Sequence, residues 1–154
     1  MALPEHIHLE IVTPEKQLFS GAVDAVTVPS TRGYLGILPG HAPLLAELGI
    51  GNISYKSGDR AEVMSCCWGF VEVLPERVVV LAHTAESASE IDVNRAEQAR
   101  TRAEKRLASK DPGVDYSRAQ IALMRAISRI DAARRYQHRP TRPYTGVSEK
   151  KPER

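Results

Sequence analysis

Between positions 6 and 12 the apolar residues Ile7, Leu9 and Ile11 alternate with His6, His8 and Glu10, the period-two signature of a half-buried strand, and Thr13-Pro14 ends it. Similar short runs follow at 22–28, 34–38, 44–48, 50–56, 61–67, 69–74 and 77–82, with Gly, Pro, Asn or Asp in most gaps. Strands this short reach stability by facing one sheet against another, so the first half predicts an all-β sandwich or barrel.

After position 85 the period changes. From 92 to 110 there is no Gly or Pro, and Ala96, Ala99, Ala103 and Leu107 recur at helical spacing. Asp92 is the expected N-cap, with Ser89 as an alternative start. Lys110-Asp-Pro-Gly-Val-Asp115 breaks this helix, and a second run over 117–138 places Ala119, Leu123, Ala126, Ile130 and Ala133 on one stripe. The expected fold is therefore α+β with segregated halves: an N-terminal antiparallel β sandwich over 1–86 and a C-terminal α-helical hairpin over 87–138. Alanine seams bury little area per residue, so the hairpin is expected to be the weaker, more mobile half. The tail 139–154, with Pro140, Pro143 and Pro152 among polar residues, is expected to be disordered.

The chain has 154 residues, enough for one domain or two small ones, and its 42% hydrophobic and 26% charged content is that of a globular protein. No apolar run approaches the roughly 20 residues that span a bilayer, and the N-terminus lacks a signal-peptide pattern, so a soluble chain that stays where it is made is expected. Cys66 and Cys67 are the only cysteines and are neighbours, poor geometry for a disulfide; they are expected to be small apolar residues on opposite faces of a strand. Net charge is uneven. Residues 1–86 carry five basic and ten acidic side chains, whereas 87–154 carry sixteen and nine, so the second half is suited to an anionic partner.

Candidate chemistry is sparse. His6 and His8 share a strand face two apart, but no third ligand has a recognisable spacing, and exposed strand histidines are the plainer expectation. No nucleophile elbow, phosphate-cradling loop or Cys-x-x-Cys occurs, which argues against an enzyme. The segment 33–45 packs three glycines and two prolines among Leu and Ile, a backbone of tight turns that is either a sandwich corner or a partner-contacting loop. Arginine placement is sharper: at 100° per residue, Arg95 and Arg102 lie about 20° apart on the first helix, and Arg125 and Arg129 about 40° apart on the second. Converging at one edge, these guanidinium groups would hold a polyanion; otherwise they form a solvated basic face. A free-standing phosphate- or nucleic-acid-binding module is the alternative function, weakened by the 5% aromatic content available for base stacking.

Three stretches carry a resemblance: Gly36-Ile-Leu-Pro-Gly-His-Ala-Pro-Leu-Leu45, Gly69-Phe-Val-Glu-Val73 followed by Val78-Val-Val-Leu-Ala82, and the alanine-rich hairpin after them. Over about residues 5–137 the chain resembles the epsilon subunit of bacterial F-type ATP synthases. The resemblance implies a ten-stranded sandwich that grips the gamma subunit and sits on the c-ring, with Gly36, Pro39, Gly40 and His41 in the contacting loop. It further implies a hairpin that folds against the sandwich or extends along gamma, toward alpha and beta, to restrain ATP hydrolysis. A non-catalytic subunit follows, peripheral on the cytoplasmic face of the bacterial cell membrane, without nucleic acid, bilayer insertion or cofactor.

A narrower motif, Ile91-Asp92-Val93-Asn94-Arg95-Ala96, is similar to the Ile/Leu-Asp-x-x-Arg-Ala pattern of family members that bind ATP. By that resemblance the nucleotide site comprises Glu86, Ile91, Asp92, Arg95, Ala96, Arg102, Arg125 and Arg129, with ATP as a regulatory ligand. Two departures stand out. Tyr34 replaces a usual acidic residue, and Trp68 replaces the first glycine of a Gly-Gly pair.

Overall fold

The alternating segments form seven strands among the described residues, which run from 2 to 138 in the computed structural model; the tail 139–154, expected to be disordered, lies outside them. They are β1 (Ile7–Val12), β2 (Gln17–Val23), β3 (Ala25–Ser30), β4 (Gly33–Ile37), β5 (Leu44–Ser57), β6 (Arg60–Val73) and β7 (Arg77–Ser87), followed by α1 (Val93–Ala108) and α2 (Tyr116–Gln137). The strands join one sheet in the order β2-β1-β7-β6-β5-β3-β4, antiparallel throughout except where β1 runs parallel to β7.

The sheet folds over to face itself. The ring of Phe19 on β2 meets that of Tyr55 on β5 at 4.4 Å between centroids, although three strands separate them in the ladder. Between the faces, Ile7, Leu9, Ile11, Val28, Leu48, Ile53, Val71 and Val80 are fully buried. Each contributes about 1.5–3 kcal/mol of transfer free energy.

The fold line accounts for strands longer than the sequence pattern predicts. The segments read separately as 44–48 and 50–56 are one strand, as are 61–67 and 69–74, with unbroken register across both ladders. Core-facing positions nevertheless change parity: Val71 and Val73 point inward on one arm of β6, Met64 and Cys66 on the other. Leu48 versus Ile53 and Tyr55 on β5, and Val78, Val80 and Ala82 versus Ala85 on β7, show the same switch. By register the switch falls on the row Gly49, Trp68 and His83. Counting β5, β6 and β7 twice gives the ten segments that the resemblance implies.

Trp68 and Gly69 make the bend, both at positive φ, 55° and 125°. A Cβ at Gly69 would strike the Leu81 carbonyl oxygen on β7, so no other residue fits there. An aromatic residue at Trp68's φ is strained by about 1–3 kcal/mol. The segment expected as one strand over 22–28 is instead the end of β2 and most of β3, separated at Asp24. β2 escaped notice because its alternation is faint: of its seven residues only Val23 is fully shielded. β7 also runs five residues past the expected end at 82, since beyond that point only Ala85 packs on the core while Thr84 and Glu86 are polar and face the hairpin.

Asp92 caps α1 as expected, accepting a hydrogen bond from the Arg95 N–H at 2.9 Å, and Asp115 caps α2 in the same way through Arg118. An ion pair of 4.0 Å from Arg134 at the end of α2 to Glu97 near the start of α1 fixes the helices as antiparallel. Their seams are Ala96 and Ala103 against Ala119, Ala126, Ile130 and Ala133.

Candidate functional site

Strand register sets three polar residues side by side on the outer face of the sheet: Asn52 on β5 opposes Ser65 on β6, which opposes Glu86 on β7. One face of α2 meets each of them. Asn52 Nδ2 donates to Asp131 Oδ2 at 2.7 Å, the Ser65 and Ser128 hydroxyls lie 2.9 Å apart, and Arg129 grips Glu86 through Nε at 2.8 Å and an Nη at 3.2 Å. Ser128 Oγ also lies 2.9 Å from the Gly51 carbonyl and 3.0 Å from Asn52 Oδ1. With Ser65 donating, its single proton serves one of those acceptors, and the buried group is satisfied. The apolar share of the contact is small, with Ala88, Ile91, Ala132 and Ala133 packed beside Val63 and Val93.

Beside this row a cavity of about 380 Å³ opens between β6, β7 and α2, lined by Ser65, Cys67, Thr84, Ala85, Glu86, Arg125 and Arg129. Three of the expected nucleotide residues, Glu86, Arg125 and Arg129, therefore converge on one space. Arg95 and Arg102 do not line it; both are exposed on α1 and make no ion pair among the described residues. Ile91, Asp92 and Ala96 already hold structural positions, in the small apolar cluster, at the helix cap and in the α1 seam. Arg125 makes no carboxylate ion pair among the described residues; its guanidinium lies over the Trp68 ring, 4.6 Å from the centroid.

Asn52, Ser65, Ser128, Asp131 and Trp68 were not among the expected site residues. The four polar ones become visible only through register and helix docking, whereas Trp68 carried a signal, a bulky side chain where the resembled family has glycine. Of the cysteines, Cys66 lies in the sandwich core, where burial pushes its thiol pKa up to about 12, and Cys67 faces the hairpin with 8% of its surface exposed. His6 pairs with Asp24 at 2.9 Å, and no cluster of metal-ligating side chains occurs among the described residues.

The expected contact loop is a tight turn. His41 N–H donates to the Leu38 carbonyl at 3.1 Å, Pro39 and Gly40 are the central residues, and Gly40 takes φ 81°, as a type II turn requires. Gly36 sits on β4 with open space where a Cβ would point, and the ring of His41 donates back to the Ala42 carbonyl. Large apolar residues remain exposed nearby and on the outer sheet face, among them Leu38, Leu45 and the cross-strand pair Phe70 and Leu81. Tyr34 turns its hydroxyl toward its own sheet, accepting from Asn52 N–H at 3.1 Å. No helix among the described residues is long and apolar enough to cross a membrane.

Two family descriptions cover the chain in order: "ATP synthase, Delta/Epsilon chain, beta-sandwich domain" over residues 6–88 and "ATP synthase, Delta/Epsilon chain, long alpha-helix domain" over 89–134. The ATP synthase epsilon chain of Desulforamulus reducens is 50% identical over 125 residues, covering 81% of this chain and 95% of that protein. That of Syntrophobacter fumaroxidans is 46% identical over 131 residues, covering 85% and 98%. Among solved structures, a chain of the Euglena gracilis mitochondrial ATP synthase aligns with a TM-score of 0.75 at 21% identity, covering 90% of this chain and 85% of that one, a likeness of fold. Matched in both domains and at this identity over nearly the full length of its relatives, the chain belongs to the ATP synthase epsilon-chain family.

Proposed function

We propose that the chain is a non-catalytic central-stalk subunit of a proton-translocating F-type ATP synthase, on the cytoplasmic face of the bacterial membrane. Its sandwich joins the gamma subunit to the c-ring, and its hairpin regulates ATP hydrolysis by moving between the docked position and one extended toward alpha and beta. The observation that carries this reading is the match of both family domains, in order, over residues 6–134. Exposed Leu38, Leu45, Phe70 and Leu81 on the sandwich support a partner surface, with Pro39, Gly40 and His41 in the turn beside it and Gly36 on the strand that leads into that turn.

ATP is the regulatory ligand in this reading. The cavity under α2 has the size of a small-ligand pocket, about 300–1,000 Å³, and two guanidinium groups and the Thr84 hydroxyl suit phosphate oxygens. A phosphate there competes with Glu86 for Arg129 and meets an Arg125 that has no carboxylate ion pair among the described residues. Arg95 and Arg102 supply further positive charge from α1, while Ile91, Asp92 and Ala96 fix the start of that helix. Because half the site belongs to the hairpin, ligand binds only the docked form and stabilises it by mass action.

Calorimetry with the isolated chain tests the nucleotide part. Arg129→Ala should weaken ATP binding roughly 10- to 150-fold, the equivalent of about 1.5–3 kcal/mol for a charge-assisted hydrogen bond. No heat with millimolar ATP contradicts it. Reassembly of the motor with a chain truncated after Ala88 tests the regulatory part: hydrolysis at low ATP should rise, and an unchanged rate contradicts it.

A further inference from the structure

We infer that Trp68 is a positioning residue of the nucleotide cavity, holding Arg125 in place for a phosphate group, an inference that rests on the nucleotide reading above. Trp68 is the central residue of the fold line, on the strand segment next to Cys67, which lines the cavity. Its neighbour Gly69 fixes the bend, because only glycine clears the Leu81 carbonyl. Beside it the backbone at 68 takes φ 55°, where glycine would be unstrained and tryptophan is not. A strained aromatic side chain at such a point calls for a compensating contact. The contact is with Arg125, whose guanidinium lies 4.6 Å from the ring centroid.

That stack does for Arg125 what Glu86 does for Arg129, by a different means. Glu86 orients Arg129 with two hydrogen bonds and neutralises it, so a phosphate must displace a carboxylate. The indole orients Arg125 through its face, leaving the N–H groups at the guanidinium edge available to an anion and the charge without a carboxylate partner among the described residues. The two arginines, one turn apart on α2, thus present one occupied and one preorganised cation to the same cavity. An exposed arginine without the stack would sample many rotamers and surrender that freedom on binding.

Trp68 is the only tryptophan, so its emission reports directly on the site. The experiment uses the full chain with ATP, followed by calorimetry and by indole fluorescence, for wild type, Trp68→Gly, Trp68→Phe, Arg125→Ala and the Trp68→Gly/Arg125→Ala pair. Wild type should bind with the same affinity by both readouts, Trp68→Gly about tenfold more weakly, and Trp68→Phe within about threefold of wild type because a ring face remains. The double variant should bind no more weakly than Arg125→Ala alone, since both act through one guanidinium. Trp68→Gly should also melt at or above the wild-type temperature, because glycine relieves the strain, so its weaker binding cannot be a folding defect. Undiminished binding by Trp68→Gly, or additive losses in the pair, overturns the inference alone. Absence of binding by wild type overturns the nucleotide reading and this inference together.

Discussion

The core between the two faces of the sandwich and the contact between sandwich and hairpin are built from opposite chemistry. The first is mostly branched and aliphatic, with Ile7, Leu9, Ile11 and Val71 sealed from water. The second is a row of hydrogen bonds, Asn52 to Asp131, Ser65 to Ser128 and Glu86 to Arg129, with alanines filling the gaps. Every group in that row recovers water partners when the helices leave, so separation costs far less than opening the core. An alanine contributes about one methylene-sized group, or roughly 0.8 kcal/mol, against two or three times that for each core side chain. A reversible arm on a permanent base is the physical consequence, and each substitution below strains one side of that contrast.

The largest effect belongs to the core. Leu9→Ala should destabilise the sandwich by about 2–5 kcal/mol in chemical denaturation, carrying the hairpin with it. Next is the interface: Arg129→Ala leaves Glu86 half-buried without its partner, and should weaken docking by about 1–3 kcal/mol while the sandwich's denaturation midpoint stays put. Amide exchange in α2 reads that difference, and equal loss in both units would break the contrast. Ser128→Ala removes a smaller term, about 1 kcal/mol, and should loosen the same helix less.

The smallest effect is one of pH. Gly58 N–H, then His6, hold the Asp24 carboxyl below its ordinary value of 3.8 at the corner where β2 gives way to β3. A carboxylate with depressed pKa contributes stability above its unfolded value and loses it as pH falls through its folded one. Asp24→Asn should therefore flatten the acid limb of a melting-temperature profile below about pH 4 and leave the hairpin's docking untouched.

How much of this was legible in the sequence depended on how local the signal was. Ile7, Leu9 and Ile11 announce β1, and the alanine stripes with Asp92 announce the hairpin, because each is a pattern within one element. β2 and the continuity of β5 and β6 were not, since a faint edge strand and a parity switch at Gly49, Trp68 and His83 depend on neighbouring strands. The same holds at the site. Arg125 and Arg129 follow from helix geometry and Glu86 from the resemblance, but that Glu86 and Trp68 face those arginines depends on strand register and helix docking. Ile91, Asp92 and Ala96 belong to a recognisable motif, yet in the docked form their side chains are packed or capping.

Cys67 offers the most direct test of the separable arm, because it sits under α2 while Cys66 sits in the permanent core. In a Cys66→Ala chain, alkylation of Cys67 measures how often the hairpin lifts. Alkylation should proceed well below the denaturation midpoint, faster after Arg129→Ala and slower with ATP. A Cys67 that reacts only when the whole chain unfolds, with ATP and Arg129→Ala making no difference, would contradict the separable arm.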